Sequence, residues 1–515
     1  MRRPNARPRA SRRDPSSEMP SQPRVPRISR RCCRFPCCLV AAAVVVITGA
    51  PLLYLFVFSS SNRFGIIIDG GSTGTRIHVF GYRKCWGGMP VIDLGYMSSM
   101  KVVPGLSAYA DNPVKAAESL TELIGFGKHR LPQHWWGETE IRLMATAGLR
   151  LLDVDKAEAI LDSCRSVLRG SGFKFLDDWA SIIPGADEGI YAWVTANYAL
   201  GTLGKEAQLT IGIIELGGAS AQIAFVPSEP VPKEFSHELK FGQASYQLYS
   251  HSFLQLGQNV AHEYLQHLLN SGDLKISPEF LFDGVYRDPC TPKGYLHGVD
   301  RQKLSGDAFS SSIGYNRIAY AVGNFSECRS AAKMLLQKGK DRCSYKHCRV
   351  GSTYIPKLQG RFIATENFFH TSKFFGLDPS SFISDLMLAG AQFCEEDWLM
   401  LRRKYHNLEE EDLLRYCFSS AYIVALLHDS LGFEMNGSRI VFANQVGEVP
   451  LDWALGAFIM MKAAEGVEHP ELIEFIISSI PSQLPPVFVI TFILAFTALL
   501  ILKWCRAQNH SKNYI

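Results

Sequence analysis

Ile67-Ile68-Asp69-Gly70-Gly71-Ser72-Thr73-Gly74-Thr75-Arg76-Ile77 is an apolar run that ends in an acid, opens into glycines and hydroxyls, and closes on a second apolar run. The pattern returns without gaps at Ile213-Ile214-Glu215-Leu216-Gly217-Gly218-Ala219-Ser220-Ala221-Gln222-Ile223. Glycine brings bare N–H groups close to an anion, and Ser and Thr add donors without bulk, so such a loop suits phosphate oxygens. The acid at the strand end would hold a metal ion through water against the same phosphates. One Asp-Gly-Gly is also an ordinary hairpin turn. Two matching copies, well separated along the chain, predict two related lobes that each offer a phosphate loop to one shared cleft.

Outward from these hairpins, strands alternate with helical stretches from Phe64 onward, the pattern of an α/β fold. With 515 residues the chain has enough length for two cores. Its formal net charge is only +4, and the basic excess sits in the first 38 residues, where arginine recurs from Arg2 to Arg34 against only Asp14 and Glu18. A nucleic-acid partner would want a basic stripe on the folded part, so that class is excluded. The tail, rich in Arg, Pro and Ser, has no apolar periodicity and is expected to be disordered.

Two apolar runs flank the α/β region. Leu39 to Phe58 is uncharged and follows the arginine-rich tail, so it reads as a signal anchor with a cytosolic amino terminus. Val487 to Leu502 precedes Lys503, Arg506 and Lys512 and reads as a second span that returns the carboxyl terminus to the cytosol; a buried core helix is its alternative. Residues 60 to 484 are then expected on the lumenal or extracellular side. Eight cysteines fall there, from Cys85 to Cys417, an even set in a compartment where disulfides persist. The sequons at Asn324 and Asn436 lie in the same region, and that at Asn509 in the cytosol. Cys32, Cys33, Cys37 and Cys38 beside the first run suit acylation, a zinc site or plain thiols.

From Phe64 to about Ala464 the sequence resembles the nucleoside triphosphate diphosphohydrolases, or apyrases. Five blocks in the family's order carry the resemblance: Ile68 to Arg76, Ala145 to Arg150, Gly185 to Gly201, Glu215 to Gln222, and Trp453-Ala454-Leu455-Gly456. It implies a two-lobed actin-like (ribonuclease H-like) α/β fold, with a phosphate-binding hairpin in each lobe and a membrane span at each end. The corresponding division is a cytosolic tail (1–38), signal anchor (39–59), first lobe (64–210), second lobe (211–445), a segment returning to the first lobe (446–475), second span (487–502) and tail (503–515).

The resemblance also implies roles. Glu188 matches the general base that takes a proton from the attacking water; by its position alone, an acid at a helix start also suits the helix dipole. Ser220 and Gln222 match residues that orient the water, and Asp69 and Glu215 the carboxylates that hold hydrated Ca²⁺ or Mg²⁺. Gly71, Ser72, Thr73, Gly74, Thr75 and Arg76, with Gly217, Gly218, Ala219 and Ser220, would bind phosphate oxygens, and Thr146 lies close by. Phe369 and Tyr416 match the aromatic rings that sandwich the base. Disulfides are implied for Cys343 with Cys348, Cys394 with Cys417 and Cys290 with Cys328; Cys85 and Cys164 remain as a fourth pair or two free thiols.

One departure stands out, because the family usually has Asp at the position of Glu215 and a hydroxyl or branched residue at that of Ala221. The extra methylene bears on the choice between Ca²⁺ and Mg²⁺. The activity implied is hydrolysis of terminal phosphates from nucleoside tri- or diphosphates. Its rivals are an actin-fold small-molecule kinase and a catalytically dead nucleotide-binding protein, the latter supported by Glu215.

Overall fold

The computed structural model describes residues 63–84, 89–271, 285–295, 318–345 and 348–467. Both tails, both candidate spans and Cys85 lie outside the described residues, among which no helix is long and apolar enough to cross a membrane.

The first hairpin founds a five-stranded sheet. β1 (Arg63–Gly70) pairs antiparallel with β2 (Thr75–Lys84), and β2 with β3 (Pro90–Val102). On the other side β4 (Glu140–Ala145) runs parallel to β1, and β5 (Ala180–Ile182) parallel to β4, giving the order β3-β2-β1-β4-β5. β1 is apolar at successive positions because both its faces are covered. Ile66 and Ile68 enter a core shared with α1 (Pro113–Arg130) and α2 (Val154–Arg169), whereas Ile67 enters a second core on the opposite face.

The second hairpin founds a sheet of the same plan. β6 (Gly212–Leu216) and β7 (Ser220–Phe225) continue into β8 (Ser236–Phe241) and β9 (Ala244–Leu254), while β10 (Phe362–Glu366) and β11 (Ile440–Phe442) add in parallel beyond β6. The order β11-β10-β6-β7-β9-β8 repeats that of the first sheet, with β8 added at one edge. Its outer face is covered by helices that include α4 (Gln258–Ser271), α5 (Phe325–Leu336), α6 (Asn367–Phe374), α7 (Ile383–Glu395) and α8 (Glu410–Val424).

The two sheets meet through α3 (Gly185–Ala199) and α9 (Trp453–Val467). One core draws Ile67 and Phe80 from the first sheet, Ile213 and Leu248 from the second, and Trp193 and Phe458 from these helices. The helices cross where Gly456 lies against Tyr191. A β-carbon at 456 would come within 1.8 Å of the Tyr191 carbonyl oxygen, so only glycine permits the approach. Thr195 Oγ1 donates to the Asp452 carbonyl at 2.9 Å beside this crossing and fixes the residues that lead into α9.

Among the described residues three disulfides form, each in the second lobe: Cys290–Cys328, Cys343–Cys348 and Cys394–Cys417. Cys164 on α2 is a buried free thiol. The Asn324 side chain caps α5, accepting from Glu327 N at 3.0 Å, while Asn436 is exposed.

Candidate active site

The internal repeat has one register. In the first hairpin Asp69 stands across from Arg76, and in the second Glu215 stands across from Gln222. Each acid therefore ends its strand directly opposite a residue of the returning strand. The hairpin tips meet across the space between the lobes, where a β-carbon on Gly218 would lie 2.7 Å from Thr73 Cγ2 and 2.9 Å from Ser72 Oγ. A larger residue at 218 would push the Thr73 and Ser72 side chains aside.

The carbonyls of Gly217 and Gly218 are taken by the start of α4, from Gln258 N and Asn259 N, each at 2.9 Å. In a trans peptide the C=O and the following N–H point in opposite directions. The N–H groups of Gly218 and Ala219 are thereby turned away from α4. On the first lobe Thr146 N donates to the Gly70 carbonyl at 3.2 Å and orients the Gly71 N–H in the same manner.

The resulting cleft is lined by Asp69, Gly71, Ser72, Thr73, Gly74, Arg76, Thr146, Glu188, Glu215, Gly217, Gly218, Ala219, Ser220 and Gln222. All but three of the residues expected from the sequence are thus brought together. Thr75 is fully buried in the hairpin, paired with Gly70, and is not among the lining residues. Phe369 and Tyr416 are not among them either. Tyr416 lies face to face with Phe374 at 3.5 Å between ring centres, and Phe369 packs edge-on to His370 beneath Lys373.

Glu188 lies in the first turn of α3, and its Oε2 accepts from Arg150 Nη2 at 2.8 Å and Gln222 Nε2 at 3.2 Å. Gln222 Nε2 also donates to Ser220 Oγ at 2.7 Å and Ser252 Oγ at 3.0 Å. Arg150 is anchored by Nη1 on the Ile183 carbonyl at 3.0 Å and reaches Ser220 Oγ at 3.4 Å. Burial pushes the Glu188 carboxyl above its ordinary value, and the Arg150 charge pulls it back. A carboxylate so held, beside an amide and a hydroxyl, can accept a proton from a water facing the hairpins.

Sequence reasoning missed four charged residues of this region. Arg150 closes a recognised block but carried no assigned role. Asp452 precedes α9 and accepts from Arg76 Nη1 at 3.3 Å, with His78 Nε2 at 3.5 Å. Glu366 ends β10 with φ +58°, its N–H donating to Asn444 Oδ1 at 2.7 Å. A non-glycine residue at positive φ stores strain, a frequent mark of functional positions. Lys101 reaches the cleft from β3. Each lies outside both hairpin loops; Arg150 at the end of one block and Asp452 just before another had a local signal, whereas Glu366 and Lys101 had none.

Five carboxyl groups thus surround one space. Burial, then Asp452 and Glu188, drives the Asp69 carboxyl well above its ordinary value; burial, then Glu188 and Glu366, does the same to Glu215. Asp69 Oδ1 is buried without a hydrogen-bond partner. Among the described residues, no three acids or other ligand types are grouped closely enough to bind an ion directly. Crowded, unsatisfied acids at this spacing fit a hydrated dication held through water.

Residues 56–472 match the model of the GDA1/CD39 (nucleoside phosphatase) family. The chain belongs to that family. It is accordingly an enzyme that hydrolyses nucleoside phosphates. It is 50% identical over 483 residues to a protein of Arabidopsis thaliana named Probable apyrase 6, covering 91% of this chain and 87% of that one. It is 31% identical over 421 residues to ectonucleoside triphosphate diphosphohydrolase 5 of Ailuropoda melanoleuca, covering 80% and 90%. A crystal structure of nucleoside triphosphate hydrolases from Neospora caninum shares the fold with a TM-score of 0.59 at 18% identity, over 83% of this chain and 97% of that one. The two-lobed, actin-like α/β architecture is therefore common to the chain and that hydrolase.

Proposed function

We propose that the protein removes terminal phosphates from nucleoside tri- and diphosphates by in-line attack of water, with Glu188 as general base and Ser220 and Gln222 as the groups that orient the water. The observation that carries this reading is the hydrogen-bonded set Arg150, Glu188, Gln222 and Ser220, facing two phosphate hairpins whose tips touch. Glu188 takes the water proton, and the Gly218 and Ala219 N–H groups bind the attacked phosphate. Asp69 and Glu215 hold hydrated Ca²⁺ or Mg²⁺, which supplies positive charge to the phosphate oxygens. Phe369 is assigned to the base; a base on Tyr416 requires Phe374 to swing away from it.

The purified full-length protein is expected to release orthophosphate from nucleoside diphosphates or triphosphates with Ca²⁺ or Mg²⁺, and to lose that turnover when the ion is chelated. A chelated sample that turned over at the same rate would remove the metal from the reading.

The disulfides and the flanking apolar runs support a membrane protein with its enzymatic part lumenal or extracellular, in the Golgi before the plasma membrane, because a short second span suits thinner membranes. Protease added to sealed microsomes is expected to trim only the tails, and glycosidase to change the mobility at Asn436. Digestion of the central region without glycosylation would reverse the topology.

A further inference from the structure

Two cationic side chains, Arg76 and Lys101, line the cleft. They stand directly opposite each other across β2 and β3. Like charges so placed repel and weaken a sheet on their own account, so the arrangement calls for an anion. Arg76 already has one in Asp452. Lys101 does not: among the described residues it joins no ion pair within 4 Å, and its Nζ reaches only the neutral Thr73 Oγ1, at 3.5 Å. Glu366 across the cleft feels both cations without pairing with either.

The lysine stem is also seated. A β-carbon on Gly74 would come within 2.3 Å of Lys101 Cε and 3.3 Å of Lys101 Cγ, so the side chain runs over bare hairpin backbone on its way to Thr73. Glycine at 74 makes room for this lysine as well as for the turn. The outcome is an exposed, uncommitted ammonium beside the first hairpin, on the lobe opposite Ser220 and Gln222.

In-line attack puts the departing oxygen on the side of phosphorus away from the water. With the water set by Glu188, Ser220 and Gln222, that side faces the first hairpin. We propose that Lys101 binds the phosphate that departs, neutralising the charge that grows on the bridging oxygen. This assignment rests on the reading of Glu188 as the base. In the step, the water oxygen forms a new bond to the terminal phosphorus, the bond to the bridging oxygen breaks, and its electron pair leaves with the shortened nucleotide. The water proton passes to Glu188. Orthophosphate and a nucleotide one phosphate shorter are the products, and Lys101 keeps its proton throughout.

Lys101→Met retains the stem and removes the charge. Because charge on the leaving oxygen grows only as the bond breaks, the loss is expected mainly in kcat, by about 30- to 100-fold with a nucleoside diphosphate, somewhat less than a typical donor aimed at developing charge contributes. Affinity for the non-hydrolysable α,β-methylene diphosphate analogue, measured by calorimetry, is expected to stay within about threefold, and Lys101→Arg to recover most of kcat. A kcat within about threefold of the parent for Lys101→Met, in a preparation where Glu188→Gln is inactive, overturns the assignment of Lys101 and leaves the base reading intact. A loss confined to affinity also overturns it. Full activity in Glu188→Gln removes the base reading, and this assignment with it.

Discussion

Glu188→Gln is expected to lower kcat by about 10² to 10⁴ while KM for a nucleoside diphosphate stays within about twofold. The substitution keeps the shape of a side chain that is nearly buried at the start of α3. Its amide oxygen can still accept from Arg150 Nη2, which now sits 2.8 Å from the carboxylate, so the guanidinium keeps a partner as well as its anchor on Ile183. What the amide cannot do is take a proton. The neighbouring hydrogen bonds bear on the alternatives: Glu188→Asp keeps basicity but withdraws the carboxylate from Arg150 and Gln222, and should fall between the parent and the glutamine variant. Steady-state rates of orthophosphate release check all three proteins. A glutamine variant within about threefold of the parent would mean that less than about 1 kcal/mol of barrier depends on this proton transfer, and the base would have to be sought elsewhere.

The hairpins were legible because their information is local. An apolar strand, an acid and a small-residue loop are contiguous, and the same string occurs twice, so the pairing of Asp69 with Arg76 and of Glu215 with Gln222 follows from laying one copy on the other. The duplicated strand order is the three-dimensional form of that repeat. Lys101, Glu366 and Asp452 had no such signature. Lys101 is brought opposite Arg76 only by the register of β3, and Glu366 reaches the cleft because β10 adds in parallel beside β6. Asp452 arrives with α9, whose approach depends on Gly456 fitting against Tyr191. Tyr416 illustrates the opposite case. An aromatic in a helical run satisfies base stacking and core packing equally well on paper, and here Phe374 occupies its face. Arg150 was read as part of a block, but its function depends on Glu188, thirty-eight residues away in sequence.

Glu215 carries the second large expected effect, because it is the acid with the least room to compensate. It is almost fully buried at the end of β6, paired in register with Gln222 on one side and Thr365 on the other, so its backbone is fixed by both neighbouring strands. The extra methylene relative to aspartate moves the carboxylate by roughly 1.5 Å, a displacement that flexible Ca²⁺ coordination absorbs more readily than the tight octahedron of Mg²⁺. Hydrolysis with Ca²⁺ is therefore expected to match or exceed that with Mg²⁺ in the parent. Glu215→Asp should raise the Mg²⁺-supported rate relative to the Ca²⁺-supported one, while Glu215→Ala, which deletes a charge beside the phosphates, should lower both by about 10² or more. Burial of an unpaired acid is itself costly, and crowding by Glu188, Glu366, Asp452 and Asp69 adds to the cost, so the alanine variant should be no less stable to heat than the parent in the absence of ion. Thermal unfolding thus separates the two roles a buried acid can have: a variant that is inactive yet equally stable identifies Glu215 with the ion, whereas one that loses several degrees of Tm together with activity identifies it with the frame of the second sheet. Equal Ca²⁺ and Mg²⁺ responses in all three proteins would exclude Glu215 from the metal site.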